Sequence, residues 1–194
     1  MNICVFGAAS TKTGPEYIEA VEAMGKAMAE RGHKLVYGAG AHGLMGAAAR
    51  GFKAGGGEVT GVIPNFFRDE KIEAIFERCD ELIFTETMAQ RKTKMEELAD
   101  AFVIVPGGIG TYEELFEVLT LKQLGRHGKP LAIYNIDGFY DPLEMMMYHG
   151  MKAKFIRANC QLLYLIFTDC EEMIDFLEHP NFELGMTVHE LKDG

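Results

Sequence analysis

Short apolar runs alternate with longer stretches of helical spacing along most of the chain. Residues 2–6, 34–37, 58–63, 81–84, 102–105, 131–134 and 163–167 are β-rich runs of four to six residues without strict polar alternation. Such runs suit strands buried on both faces. Between them, residues 15–31, 43–54, 87–99, 112–125 and 169–178 carry helical periodicity. Strand and helix alternating in this way predict a parallel sheet covered on both sides, because right-handed crossovers place the helices there. The expected fold is α/β, a single doubly wound, Rossmann-like parallel sheet of about seven strands with helices on both faces. Ligands of such sheets lie at the carboxyl ends of the strands, so function is sought in the turns after Phe6, Tyr37, Ile63, Phe84 and Val105. Residues 1–180 read as one domain, and 181–194, with weak periodicity, as a surface tail.

Composition narrows the choice of partner. The 194 residues are 48% hydrophobic and 25% charged, enough for one domain with a full core. The formal net charge of −10 argues against duplex nucleic acid and against membrane surfaces, which both need a basic face. An anionic ligand must then be held locally. No Lys or Arg precedes the first apolar run, so no secretory leader is expected, and no stretch approaches a spanning helix. Cys4, Cys79, Cys160 and Cys170 are scattered, which predicts reduced thiols and a cytoplasmic setting. The six histidines show no i, i+4 pair, and the expected mechanism uses neither metal nor cofactor.

Three segments carry candidate chemistry. After the second predicted strand, Gly38-Ala39-Gly40-Ala41-His42-Gly43 is a literal G-x-G-x-x-G. A dinucleotide site would place an acid at the end of the next strand, whereas Glu58 stands at its start. The competing reading is a tight turn and close helix packing, with the helix N-terminus available to a ligand. The second segment, Val105-Pro106-Gly107-Gly108-Ile109-Gly110-Thr111, is a glycine turn between a buried strand and a helix. Backbone N–H groups and the helix dipole there favour an anion, and without a Walker lysine a monophosphate is the natural guest. Glu114 either closes a capping box with Thr111 or, aligned with Val118 and Leu121, lies on the apolar flank where a carboxylate polarises water. In the third segment Met88, Arg91, Met95 and Leu98 share one helical stripe. Arg91 is then a snorkelling residue, an internal salt bridge, or a contact to phosphate or Glu114.

Taken together, YGAGAHGLMG at 37–46, MAQRKTKM at 88–95 and PGGIGTYEE at 106–114 resemble the Lonely Guy (LOG) family, the cytokinin-activating nucleoside 5′-monophosphate phosphoribohydrolases. The family's older name, lysine decarboxylase, implies pyridoxal phosphate chemistry that nothing in the sequence motivates. The resemblance runs from Asn2 to about Leu177. It implies that Arg91 and Glu114 are catalytic and that Gly107, Gly108, Gly110 and Thr111 bind the 5′-phosphate. It further implies that Met88 and Lys92 lie near the substrate, and that Ser10, Gly43 and Met45 help close the pocket. A purine nucleoside monophosphate substrate and a homodimer are implied as well. Two departures stand out: Gly38-Ala39-Gly40 where the family often has three glycines, and Ala89-Gln90 where it often has a histidine before the Arg-Lys pair. A non-catalytic nucleotide or molybdenum-cofactor carrier of the same fold is the alternative function.

Overall fold

The computed structural model describes residues 1–70 and 74–180, so the expected tail lies outside the described residues. Seven strands form one sheet: β1 (Asn2–Phe6), β2 (Lys34–Tyr37), β3 (Val59–Pro64), β4 (Glu81–Thr85), β5 (Ala101–Ile104), β6 (Leu131–Tyr134) and β7 (Leu165–Phe167). Their order is β4-β3-β2-β1-β5-β6-β7, and every neighbouring pair is parallel. The direction of growth reverses between β1 and β5. That switch point is where a doubly wound sheet opens a crevice for ligand.

The helices are α1 (Pro15–Glu30), α2 (Gly43–Ala54), α3 (Asn65–Asp69), α4 (Met88–Leu98), α5 (Ile109–Gln123), α6 (Asp141–Lys152) and α7 (Cys170–Glu178). Successive strand residues point to opposite faces, and the core divides accordingly. Ile3, Val5, Leu35, Tyr37, Val103 and Val105 pack with α1, α2 and α7. Cys4, Phe6, Val36, Val62, Phe102 and Ile104 pack with Met95 of α4, Leu115 and Val118 of α5, and Leu143 and Met147 of α6. Glycines bring α1 and α2 unusually close, since a Cβ on Gly25 would lie 2.7 Å from the Ala48 carbonyl oxygen.

All seven expected strands are present, with ends shifted by one or two residues. The seventh starts late, at Leu165, because residues 158–162 coil into a 3₁₀ turn. Two helices were not expected. The five-residue α3 is too short for a periodicity to register, and α6 reads DPLEMMMYHGMK, in which Met145, Met146 and Tyr148 break the amphipathic pattern by facing outward. Helix α5 begins at Ile109 rather than residue 112, because Gly108 is its N-cap. Thr111 is therefore inside the helix, and the capping box that it could have headed does not form.

Candidate active site

The turns after β1, β2 and β5 converge at the switch point. The Ala8 amide donates to the Pro106 carbonyl at 3.1 Å, and the Ala8 carbonyl accepts from Leu44 and Met45 at 2.8 and 3.2 Å. A Cβ on Gly7 would overlap Val105, and one on Gly43, whose φ is +58°, would overlap the backbone of Ala8. Close backbone approach thus welds the first turn to the other two. It also bears on the expectation for α2: the Leu44 and Met45 amides in its first turn are taken by Ala8, so those two are not open to a ligand.

The α5 N-terminus differs. Its first helical bond runs from the Tyr112 amide to the Gly108 carbonyl, at 3.1 Å. Helix geometry leaves the amides of Ile109, Gly110 and Thr111 at the head of the helix without carbonyl partners in the preceding turn. Gly108 and Gly110 face open space, with no atom within 4 Å of where a Cβ would stand, whereas a Cβ on Gly107 would overlap Thr111. Tyr140 supports the turn from below. Its hydroxyl donates to the Val105 carbonyl at 2.8 Å, and its ring meets Tyr112 edge-on.

Arg91 reaches this turn from α4. Thr87 caps that helix by accepting from the Gln90 amide at 3.1 Å, while the Gln90 side chain accepts from the Glu86 amide at 2.9 Å. Gln90 thus helps to fix where the helix starts and hence the height of Arg91, whose amide donates to the Thr87 carbonyl at 3.0 Å. The stripe runs as expected: Arg91 and Met95 are buried, with Met88 at the exposed end. Arg91 is 6% exposed, and a buried guanidinium demands acceptors. Nε donates to the Val62 carbonyl at 3.1 Å and Nη1 lies 3.7 Å from Oε1 of Glu114.

Glu114 is almost wholly enclosed, with its side chain 11% exposed. Burial pushes its carboxyl up to about 7, against the pull of Arg91. The neighbouring Glu113 is exposed and pairs with Lys92, which also reaches Glu117 at 2.7 Å. Burial alone would lower the Lys92 ammonium, but the two carboxylates outweigh it and raise it. Lys92 is accordingly engaged in bracing α4 against α5. Of the other expected residues, Met45 is packed into the core beside Gly38, and Ser10 is exposed, its hydroxyl accepting from the Lys12 amide at 3.2 Å. Cys4 lies beneath the pair, and burial pushes its thiol well up. Among the described residues no three His, Cys, Asp or Glu side chains are grouped to hold a metal, and all four cysteines are free.

Three contributors escaped sequence reasoning. The Val62 carbonyl is a backbone group with no sequence signal. Tyr140 sits at the head of the unexpected α6. Gly38 was visible as part of a glycine motif, but not as a neighbour of Arg91.

Comparisons with known proteins place the chain in a family. A family model described as possible lysine decarboxylase matches residues 45–177. The cytokinin riboside 5′-monophosphate phosphoribohydrolase LOG of rice is 37% identical over 186 residues, 95% of this chain and 76% of that protein. LOG7 of Arabidopsis thaliana, which bears the same enzyme name, is 38% identical over 183 residues, 93% of this chain and 83% of that one. Among solved structures, the molybdenum cofactor carrier protein of Chlamydomonas reinhardtii aligns with a TM-score of 0.69 at 23% identity, covering 91% of this chain and 95% of that one. At that identity the likeness concerns the fold alone. With the family model spanning most of the chain and the plant relatives nearly all of it, the protein belongs to the lysine decarboxylase-like family that includes the LOG phosphoribohydrolases.

Proposed function

We propose that the protein hydrolyses the N-glycosidic bond of purine nucleoside 5′-monophosphates, with adenine or N6-modified adenine as the base, giving free base and ribose 5-phosphate. One observation carries this reading: the enclosed Glu114, with its carboxyl near 7, faces Arg91 beside a glycine turn built to take an anion. The 5′-phosphate sits on the amides heading α5, at Gly107, Gly108, Gly110 and Thr111, and its binding energy positions the ribose. Breaking the bond from ribose C1′ to the base nitrogen sends the electron pair to the base, which takes up a proton from solvent, and leaves oxocarbenium character on the sugar. The Glu114 carboxylate stabilises that charge and takes a proton from the attacking water, whose oxygen bonds to C1′. Arg91 keeps Glu114 ionised and oriented. Met88, Lys92, Ser10, Gly43 and Met45 complete the pocket walls, Lys92 through its brace on α5.

The test is incubation with AMP and with isopentenyladenosine monophosphate, followed by chromatography for free base. Release by the native protein, with a loss of about a thousandfold or more in Glu114→Gln, is the expected result. Nucleotide binding without release would instead support the carrier reading, which has only the likeness of fold behind it. A cytoplasmic homodimer belongs to the same proposal. It is supported by the free thiols and by the exposed apolar side chains Phe84, Met88, Met145, Met146 and Phe155, and sedimentation equilibrium tests it.

A further inference from the structure

Of the G-x-G-x-x-G turn after β2, only Gly43 enters the proposed pocket. Its first glycine, Gly38, is buried, and its backbone lies outside the left-handed region, so any residue could adopt it. The next residue, Ala39, does lie in that region, with φ 65°. A side chain is therefore present where the backbone disfavours one and missing where the backbone allows one. Space explains the omission. A Cβ on Gly38 would overlap Nη2 of Arg91 and come within 3.4 Å of the Met45 sulfur.

The geometry points to Gly38 as a positioning residue: its bare backbone and the Val62 carbonyl form a slot that holds the Arg91 guanidinium and aims it at Glu114. Nε is tied to Val62 at 3.1 Å, Nη2 lies over Gly38, and Nη1 is left facing Glu114 at 3.7 Å. All three branches of the planar group are thereby assigned, which fixes its orientation as well as its place. What Arg91 does in catalysis rests on the hydrolase reading, but where it points does not. A methyl group at residue 38 meets only the far end of a side chain and a sulfur, so the guanidinium yields and the backbone stays.

The experiment combines Gly38→Ala, Arg91→Ala and the double substitution, with kcat and KM for base release from AMP and the ¹⁵N NMR signal of the Arg91 Nε–H. Gly38→Ala is expected to fold, to lose about tenfold or more in kcat, and to lose the slow exchange of the Nε–H that a bond to Val62 confers. In the Arg91→Ala background the same change should cost less than about twofold, because the two substitutions act through one group. Equal losses in both backgrounds, or an unchanged Nε–H signal with native kcat, would overturn the slot. If the native protein releases no base from AMP, the hydrolase reading fails on its own. The Nε–H signal then decides the slot alone: its loss in Gly38→Ala supports it and its persistence refutes it. Should Gly38→Ala not fold, recovery of folding in the double variant supports the slot, and failure there overturns it.

Discussion

Glu114 is the residue whose environment departs most usefully from that of a surface carboxylate. Its carboxyl moves from the ordinary 4.5 to about 7 because it is buried, and the residual attraction of Arg91 keeps an ionised fraction near neutrality. In the proposed reaction the ionised form acts, so the rate should climb as pH passes upward through about 7, a profile that Arg91→Met should move to higher pH. Stability runs the other way. The fold holds this proton more tightly than the unfolded chain does, so the contribution is complete below about 4.5 and is lost as pH rises through about 7. The loss is on the order of 3 kcal/mol. Glu114→Gln, which never ionises, should therefore melt above the native protein at pH 8, with the gap closing by pH 5. A variant that melts lower at pH 8 would show that the carboxylate is better accommodated than its burial implies.

At the scale of elements, the active turn is held in place by supports drawn from both sides. Tyr140 bonds the Val105 carbonyl from beneath, and Lys92 joins α4 to α5 through Glu113 and Glu117. Tyr140→Phe leaves a buried carbonyl without its donor and should cost about 1–3 kcal/mol, seen as a lower denaturant midpoint with unchanged slope. Because the end of β5 is also loosened, KM for the nucleotide should rise along with that loss. The elements themselves were largely legible in the sequence. Five of the helices and every strand had a run of the right period, and the apolar content of runs such as VIVP announced burial on both faces. The glycine turn and the stripe holding Arg91 were legible too, because local backbone chemistry and helical spacing are both short-range properties. What could not be read was long-range. No pattern in residues 59–64 says that the Val62 carbonyl receives a guanidinium from α4, and no local rule separates Gly38, needed for space, from a glycine needed for its backbone.

The whole molecule is acidic, with a formal charge of −10, yet its proposed substrate is an anion. The two are compatible because, in the proposed site, neutral amides and a helix dipole would do the holding, and that force falls off within a turn. Binding should then respond weakly to salt. Between about 50 and 200 mM salt, KM for AMP should change by less than about threefold, whereas a site built on a basic surface would weaken far more steeply. Adenosine, which lacks the phosphate, should lose about a hundredfold or more in kcat/KM. A steep salt dependence would place the phosphate on side chains instead of on the α5 turn.

The sheet order also sets a calendar for synthesis. Strands β1 to β4 follow one another outward from the centre, and each can pair with its predecessor as it leaves the ribosome. The other edge of β1 waits: Ile3 meets Ala101 and Phe6 meets Ile104 only after nearly a hundred further residues have been made. Until then Phe6, later stacked beside Phe102, has no cover on that side, and the crevice has a single wall. A nascent chain that stops anywhere before β5 thus presents an unzipped, apolar strand at its very centre, the form in which parallel sheets recruit the wrong partner. The same join that forms the switch-point crevice closes only when the fifth of the seven strands has been made, so the proposed nucleotide site cannot be complete before more than half of the chain has been synthesised.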